Sequence, residues 1–138
     1  MNAKELRLGN YINHKFDELE FNEVVGVDWE FIYLSNITCD YVSFDDCEPI
    51  PLTEEWLLKM GFELLHEYEH DFTEKIFGIN ITDCNNEEKL RISLPFQTIQ
   101  IGGEDDYYYV ANINIKHVHQ LQNLYFALTG EELTIKKL

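Results

Sequence analysis

Hydrophobic and polar positions follow two different periods along this chain, and the changes of period mark out its elements. LRLGNYI (6–12), NEVVGV (22–27), EFIYLS (30–35) and YVSF (41–44) are rich in β-branched and aromatic residues, with polar or glycine-bearing links such as NHKFDELE and SNITCD between them. Such runs predict short strands. Four or five of them so closely spaced predict a small SH3-like β-barrel over 1–52. PIPLTEEWLLKMGF (49–62) then predicts a short helix. Thr53 can cap it, Glu54 and Glu55 suit the positive end of its dipole, Leu52 can staple onto Leu57, and Gly61 can turn the chain after the last residue.

From Phe62 to Ile115 the period returns to two. FELLHEYEHDF (62–72), EKIFGINIT (74–82), KLRISLPFQTIQI (89–101) and YYYVANINI (107–115) predict an antiparallel meander with turns at DCNNEE (83–88) and GGEDD (102–106). VHQLQNLYFALTG (118–130) predicts a C-terminal helix, with Val118, Leu121, Leu124, Tyr125 and Leu128 at helical spacing and Gly130 closing it. ELTI (132–135) is expected to return to the sheet. The fold class expected is α+β, in a single domain 1–138 with subregions 1–52 and 53–138. No repeat or hinge marks a second domain.

The composition supports a folded core, because 45% of the 138 residues are hydrophobic and 14% aromatic. Cys39, Cys47 and Cys84 are odd in number and lack C-x-x-C spacing, which points to reduced thiols rather than a zinc ribbon or redox centre. No apolar run is long enough to cross a bilayer and the start, MNAKELRLGNY, lacks a secretory signal, so a soluble cytoplasmic protein that stays inside the cell that makes it is expected.

Charge changes the picture most. There are 26 acidic and 10 basic residues, a formal net charge of -16, and no Lys or Arg from Phe16 to Leu58. A binder of nucleic acid gains most of its affinity from Lys and Arg that displace counterions, so direct nucleic-acid binding is not expected. A negative surface steers instead toward the basic surface of another protein. The residues assigned to such a surface are Asp45, Asp46 and Glu48 together with the turn Glu104, Asp105 and Asp106. Beside that turn stands YYYV (107–110), in which strand alternation sets Tyr108 opposite to Tyr107 and Tyr109. Tyrosine beside carboxylates suits Arg and Lys side chains.

Catalytic motifs are few. HEYEH (66–70) satisfies H-E-x-x-H, which in zinc peptidases places two histidines one helical turn apart on a metal, with the glutamate polarising its water. That chemistry needs a helix, whereas Phe62, Leu64, His66, Tyr68, His70 and Phe72 alternate with Glu63, Leu65, Glu67, Glu69 and Asp71. In a strand, positions i and i+4 stand roughly 13 Å apart. A zinc hydrolase using His66, Glu67 and His70 is therefore the minor alternative, and His66 and His70 are expected as part-buried strand residues. HVH (117–119) reads as a helix entry. No phosphate-binding loop, dinucleotide fingerprint or nucleophile elbow is present. No cofactor, metal or membrane is expected.

ELRLGNYI (5–12), PIPLTEEWLLKMGF (49–62) and VHQLQNLYFALTGEEL (118–133), together 38 of 138 positions, resemble segments of a group of small proteins encoded by Bacteroidota and by their phages and prophages. The resemblance lends no catalytic residue, and HEYEH falls outside it. It implies a mobile-element setting, in which small acidic proteins often act by occupying a host protein, inhibitors of CRISPR nucleases among them. The functional expectation is a non-enzymatic acidic binding protein of this kind. A structural or assembly component of a phage particle, forming a homo-oligomer, is the alternative.

Overall fold

The computed structural model describes residues 5–15, 21–35, 41–69, 73–82, 88–103 and 107–136, with the backbone alone at 107–112. The fold is mixed α+β, with two antiparallel five-stranded sheets and two α-helices among the described residues. Two compact units are present: Met1–Pro51 with His117–Leu124, and Leu52–Lys116 with Tyr125–Leu138. Cys39 and Cys84 lie outside the described residues. No described helix is long and apolar enough to cross a membrane.

The first unit contains β1 (Tyr11–His14), β2 (Asn22–Val27), β3 (Phe31–Leu34), β4 (Val42–Ser43) and β5 (Cys47–Pro49). They pair in the order β4-β3-β2-β1-β5, an open sheet with β4 and β5 at its edges. Period two holds at the start of β2, where Asn22 and Val24 are buried and Glu23 and Val25 exposed. The buried side chains Leu6, Ile12, Val24, Ile32, Leu34, Val42 and Cys47 form one cluster, with Val27 and Phe44 packed against it.

Local bonds shorten two of the expected strands. LRLGNYI becomes extended only at Tyr11, because the Arg7 N–H donates to Asn10 Oδ1 at 2.7 Å, the Asn10 N–H to the Arg7 carbonyl at 3.2 Å, and Gly9 turns the chain at φ +92°. A side-chain bond to nearby backbone has displaced the ladder here. YVSF stops at Ser43, whose Oγ accepts the Asp45 N–H and caps a 3₁₀ turn over Phe44–Asp46. That turn leads into β5, which pairs with β1.

Helix α2 (Val118–Thr129) contributes its first residues to this unit. Its buried side chains are Val118, His119, Leu121 and Gln122, while Leu128 is exposed. The apolar stripe expected along the whole helix is thus replaced over its first half by a mixed apolar and polar face. Gln122 Oε1 accepts the Tyr11 N–H at 2.8 Å and its Nε2 donates to the Gly9 carbonyl at 3.1 Å. Asn123 Oδ1 accepts from Arg7 Nη1 and Asn10 Nδ2, and its Nδ2 donates to the Glu5 carbonyl. Two adjacent amides therefore satisfy backbone groups that the irregular 5–11 segment leaves without a ladder partner.

The second unit opens with α1 (Glu54–Lys59), capped by Thr53 Oγ1, which accepts the Trp56 N–H at 3.3 Å. Gly61 follows at φ +94°, a left-handed position that favours glycine. Strands β6 (Glu63–Glu69), β7 (Thr73–Asn80), β8 (Lys89–Leu94), β9 (Thr98–Gly102) and β10 (Tyr107–Asn114) pair in sequence order as a meander. KLRISLPFQTIQI is divided by a turn at Pro95 and Phe96, closed by the Gln97 N–H donating to the Ser93 carbonyl at 2.6 Å. Phe77 pairs with Ile92 and Ile92 with Ile99, and these with Leu90 are fully buried. Each such burial contributes about 1.5–3 kcal/mol. ELTI does not form a strand. Leu133 is buried, and the Lys136 N–H donates to the Lys59 carbonyl at the end of α1.

Candidate protein-binding surface

The β2–β3 hairpin carries the most exposed large apolar side chain among the described residues. Between Val24 and Gly26 the register shifts by one, leaving Val25 as the extra residue of a β-bulge. A Cβ on Gly26 would stand 3.0 Å from the Tyr33 ring, so any larger residue here would crowd that ring. At the turn, Asp28 Oδ1 accepts the N–H groups of Glu30 at 2.8 Å and Phe31 at 2.6 Å, and the Tyr33 hydroxyl donates to Oδ2 at 2.9 Å. The Asp28 N–H donates to the Phe31 carbonyl. These three bonds to its carboxylate, led by the Glu30 N–H, hold Asp28 below the usual carboxylate range. Trp29 stands at this turn, 86% exposed. The neighbouring Phe31 packs its ring on Tyr41, with centroids 4.4 Å apart, and Tyr41 itself is exposed.

Asp45, Asp46 and Glu48 lie in the same unit. Asp45 is in the 3₁₀ turn and exposed, Asp46 is half-buried, and Glu48 is exposed on β5 opposite Asn13. Beside them Cys47 is a free, buried thiol, pushed up to about 11 by burial and then by the charge of Asp46, which leaves it unreactive near neutral pH. Glu104, Asp105 and Asp106 lie outside the described residues. Tyr108 belongs to the second unit, where its backbone pairs with Ile101.

The HEYEH segment is extended as far as Glu69, and His70 lies outside the described residues. The alternation differs from expectation in one respect. Leu64 pairs with Phe77 but His66 with Ile76, so Leu65 is a bulge residue, and the side chain of Leu64 shares a face with Phe77 while those of His66 and Tyr68 share the other with Ile76 and Glu74. His66 is exposed rather than part-buried, its ring stacked near that of Tyr68 at 6.0 Å. Glu67 stands 3.9 Å from Lys75, which also donates to both oxygens of Glu54 at 3.0 and 3.2 Å. The Glu54 bond raises the Lys75 pKa above its ordinary value. Among the described residues no group of three His, Cys, Asp or Glu is placed to hold a metal ion.

His119 is a buried group that helical spacing alone does not reveal. It is 1% exposed, neither ring nitrogen has a hydrogen-bond partner, and the Glu5 carboxylate stands 3.9 Å away. Burial, reinforced by His117 stacked at 5.8 Å, lowers its pKa against the opposing pull of Glu5. The Gln122 and Asn123 amides and the Trp29 turn were also missed; D-W-E between two strand runs was the available signal for the turn.

Among the described residues, two depressions lie in the second unit. One, of about 190 Å³, is lined by Asn80, Ile81, Thr82, Tyr125, Thr129 and Glu131, smaller than the few hundred Å³ typical of ligand sites. The other is an open groove beside Lys75 and Pro95, whose cation is already engaged by Glu54 and Glu67. No family model matches the chain, and no curated protein or solved structure matches it.

Proposed function

We propose that this chain is a non-enzymatic acidic protein-binding module of phage or prophage origin. It places its negative surface on a basic groove of a host nucleic-acid-handling enzyme and inhibits it by occupying the ligand's place. The observation that carries this reading is the run from Phe16 to Leu58, with twelve acids and no Lys or Arg. Asp45 and Glu48 from this run are exposed in the first unit. Within the run no cation is interleaved; Lys15, whose N–H donates to the Asp46 carbonyl, borders these acids on one side and is outnumbered by them, so a net negative field reaches over a Debye length of about 8 Å at physiological salt. Asp45, Asp46 and Glu48 are the principal contacts in this reading, and Glu104, Asp105, Asp106 and Tyr108 a second patch. The strand order with β5 beside β1, and a 3₁₀ turn between β4 and β5, supports reading the first unit as an SH3-like small barrel serving as the platform. No cofactor enters the scheme.

The test is capture of a host partner on immobilised protein, followed by a salt titration. The partner should be basic, should be released as ionic strength rises, and should lose its nucleic-acid ligand when the module binds. Retention that does not change from low to high salt contradicts the proposal.

A further inference from the structure

The β2–β3 turn joins two properties rarely found together on a free surface. Trp29 is 86% exposed and, among the described residues, makes no hydrogen bond or ring contact. Yet the backbone beneath it is fixed by the two N–H bonds to Asp28 Oδ1 and by the Tyr33 hydroxyl on Oδ2. A tryptophan has few side-chain torsions, so on a backbone fixed before binding it loses little entropy for the area it buries, and tryptophan is enriched among the residues that dominate binding energy at interfaces. Its sequence neighbours are both acids, Asp28 and Glu30.

We propose that this turn is the anchor of the acidic module, with Trp29 receiving an arginine side chain of a basic partner segment between Asp28 and Glu30. The inference rests on the protein-binding reading above and names the group that reads the partner. An indole face attracts a cation, and a guanidinium stacks on it better than an ammonium does. The exposed Glu30 carboxylate supplies the matching charge, and Asp28, whose carboxylate is bonded within the turn, adds its field. A second copy of the chain is a poor occupant, because it would bring a net charge of -16 against its like.

The chain has two tryptophans, of which Trp56 is buried, so the two indole N–H signals in an NMR spectrum report on exposed and buried sites separately. Hexa-arginine should shift the Trp29 signal and leave Trp56 in place, hexa-lysine should act more weakly, and hexa-glutamate should have no effect. Trp29→Ala should weaken hexa-arginine binding about fivefold, Trp29→Phe less, and Glu30→Gln should reduce the salt dependence. Salt-sensitive binding that Trp29→Ala leaves unchanged would overturn the anchor and leave the acidic-module reading standing. Absence of hexa-arginine binding to the unaltered protein would overturn both. A Trp29 signal that moves with protein concentration alone would make a second copy the occupant and overturn the proposal.

Discussion

Eleven acids against three bases in the first unit, and fifteen against seven in the second, leave the two with the same net charge. Their near fields differ. In the second unit Lys59 pairs with Glu55 at 3.1 Å, and Lys75 bridges Glu54 and Glu67. In the first, Arg7 is bonded to Asn123, and Lys15, whose N–H donates to the Asp46 carbonyl, is a cation beside the acids of the run, outnumbered by Asp45, Asp46 and Glu48. Net charge therefore does not distinguish a solvated face from a recognition face; the local pairing of opposite charges does, because salt attenuates interactions between exposed charges over roughly 8 Å. The aromatic residues sharpen the contrast. In the first unit Trp29 projects from a turn bonded beneath it, while in the second Trp56 is buried with Lys59 over its ring at 5.5 Å.

The largest effects should come from the two cores. Phe77→Ala in the second unit should cost about 3–5 kcal/mol, and Ile12→Ala in the first about 2–5 kcal/mol, in denaturant titrations. Next is the polar fastening peculiar to the first unit. Gln122→Leu keeps bulk but orphans the Tyr11 N–H and the Gly9 carbonyl, for a loss of about 2 kcal/mol. A loss as small as that of a surface substitution would remove the amide pair from the account. In the second unit, Gly78→Ala brings a Cβ to 2.5 Å from Leu65 Cδ1. Because that atom ends a side chain, the strain should relax to about 1 kcal/mol, read as a fall in the thermal midpoint.

What was legible in advance divides along similar lines. Period-two alternation located most strands, and the Thr53 cap with Gly61 located α1, because these signals are local. The bulges at Val25 and Leu65 were not legible, since a one-residue shift depends on what the neighbouring strand presents: the Tyr33 ring against Gly26 in one case, and Gly78 receiving Leu65 in the other. Gln122, Asn123 and His119 read as the polar side of a helix. They are buried or bonded because segment 5–11, more than a hundred positions earlier, leaves backbone groups and a carboxylate for them. Of the proposed surface, the acidity was evident, whereas the exposure of Trp29 required the turn itself.

Smaller effects separate the units by pH. His119 has a depressed folded pKa, so below about 6.5 the unfolded chain takes up a proton that the folded state resists. Its contribution is full above that value and is lost as pH falls toward the folded pKa. Denaturation midpoints should therefore drop on acidification through this window, and His119→Gln should flatten the slope. Asp28, also depressed, acts at lower pH. Its turn is held above the ordinary carboxylate range and loosens as pH falls below it, so the Trp29 indole signal should broaden or move there while that of Trp56 stays fixed. Smallest of all, Trp29→Ala should leave stability within about 0.5 kcal/mol, because nothing in the fold depends on that ring.

The central claim, that the first unit carries the principal recognition face despite equal net charge, is tested most directly by following every backbone amide during a titration with a basic partner at low and then raised salt. The largest shifts should fall at residues 27–31 and 45–48 and should shrink as salt increases. Shifts concentrated in the second sheet, at residues 63–69 or 89–102, or shifts indifferent to salt, would contradict the account.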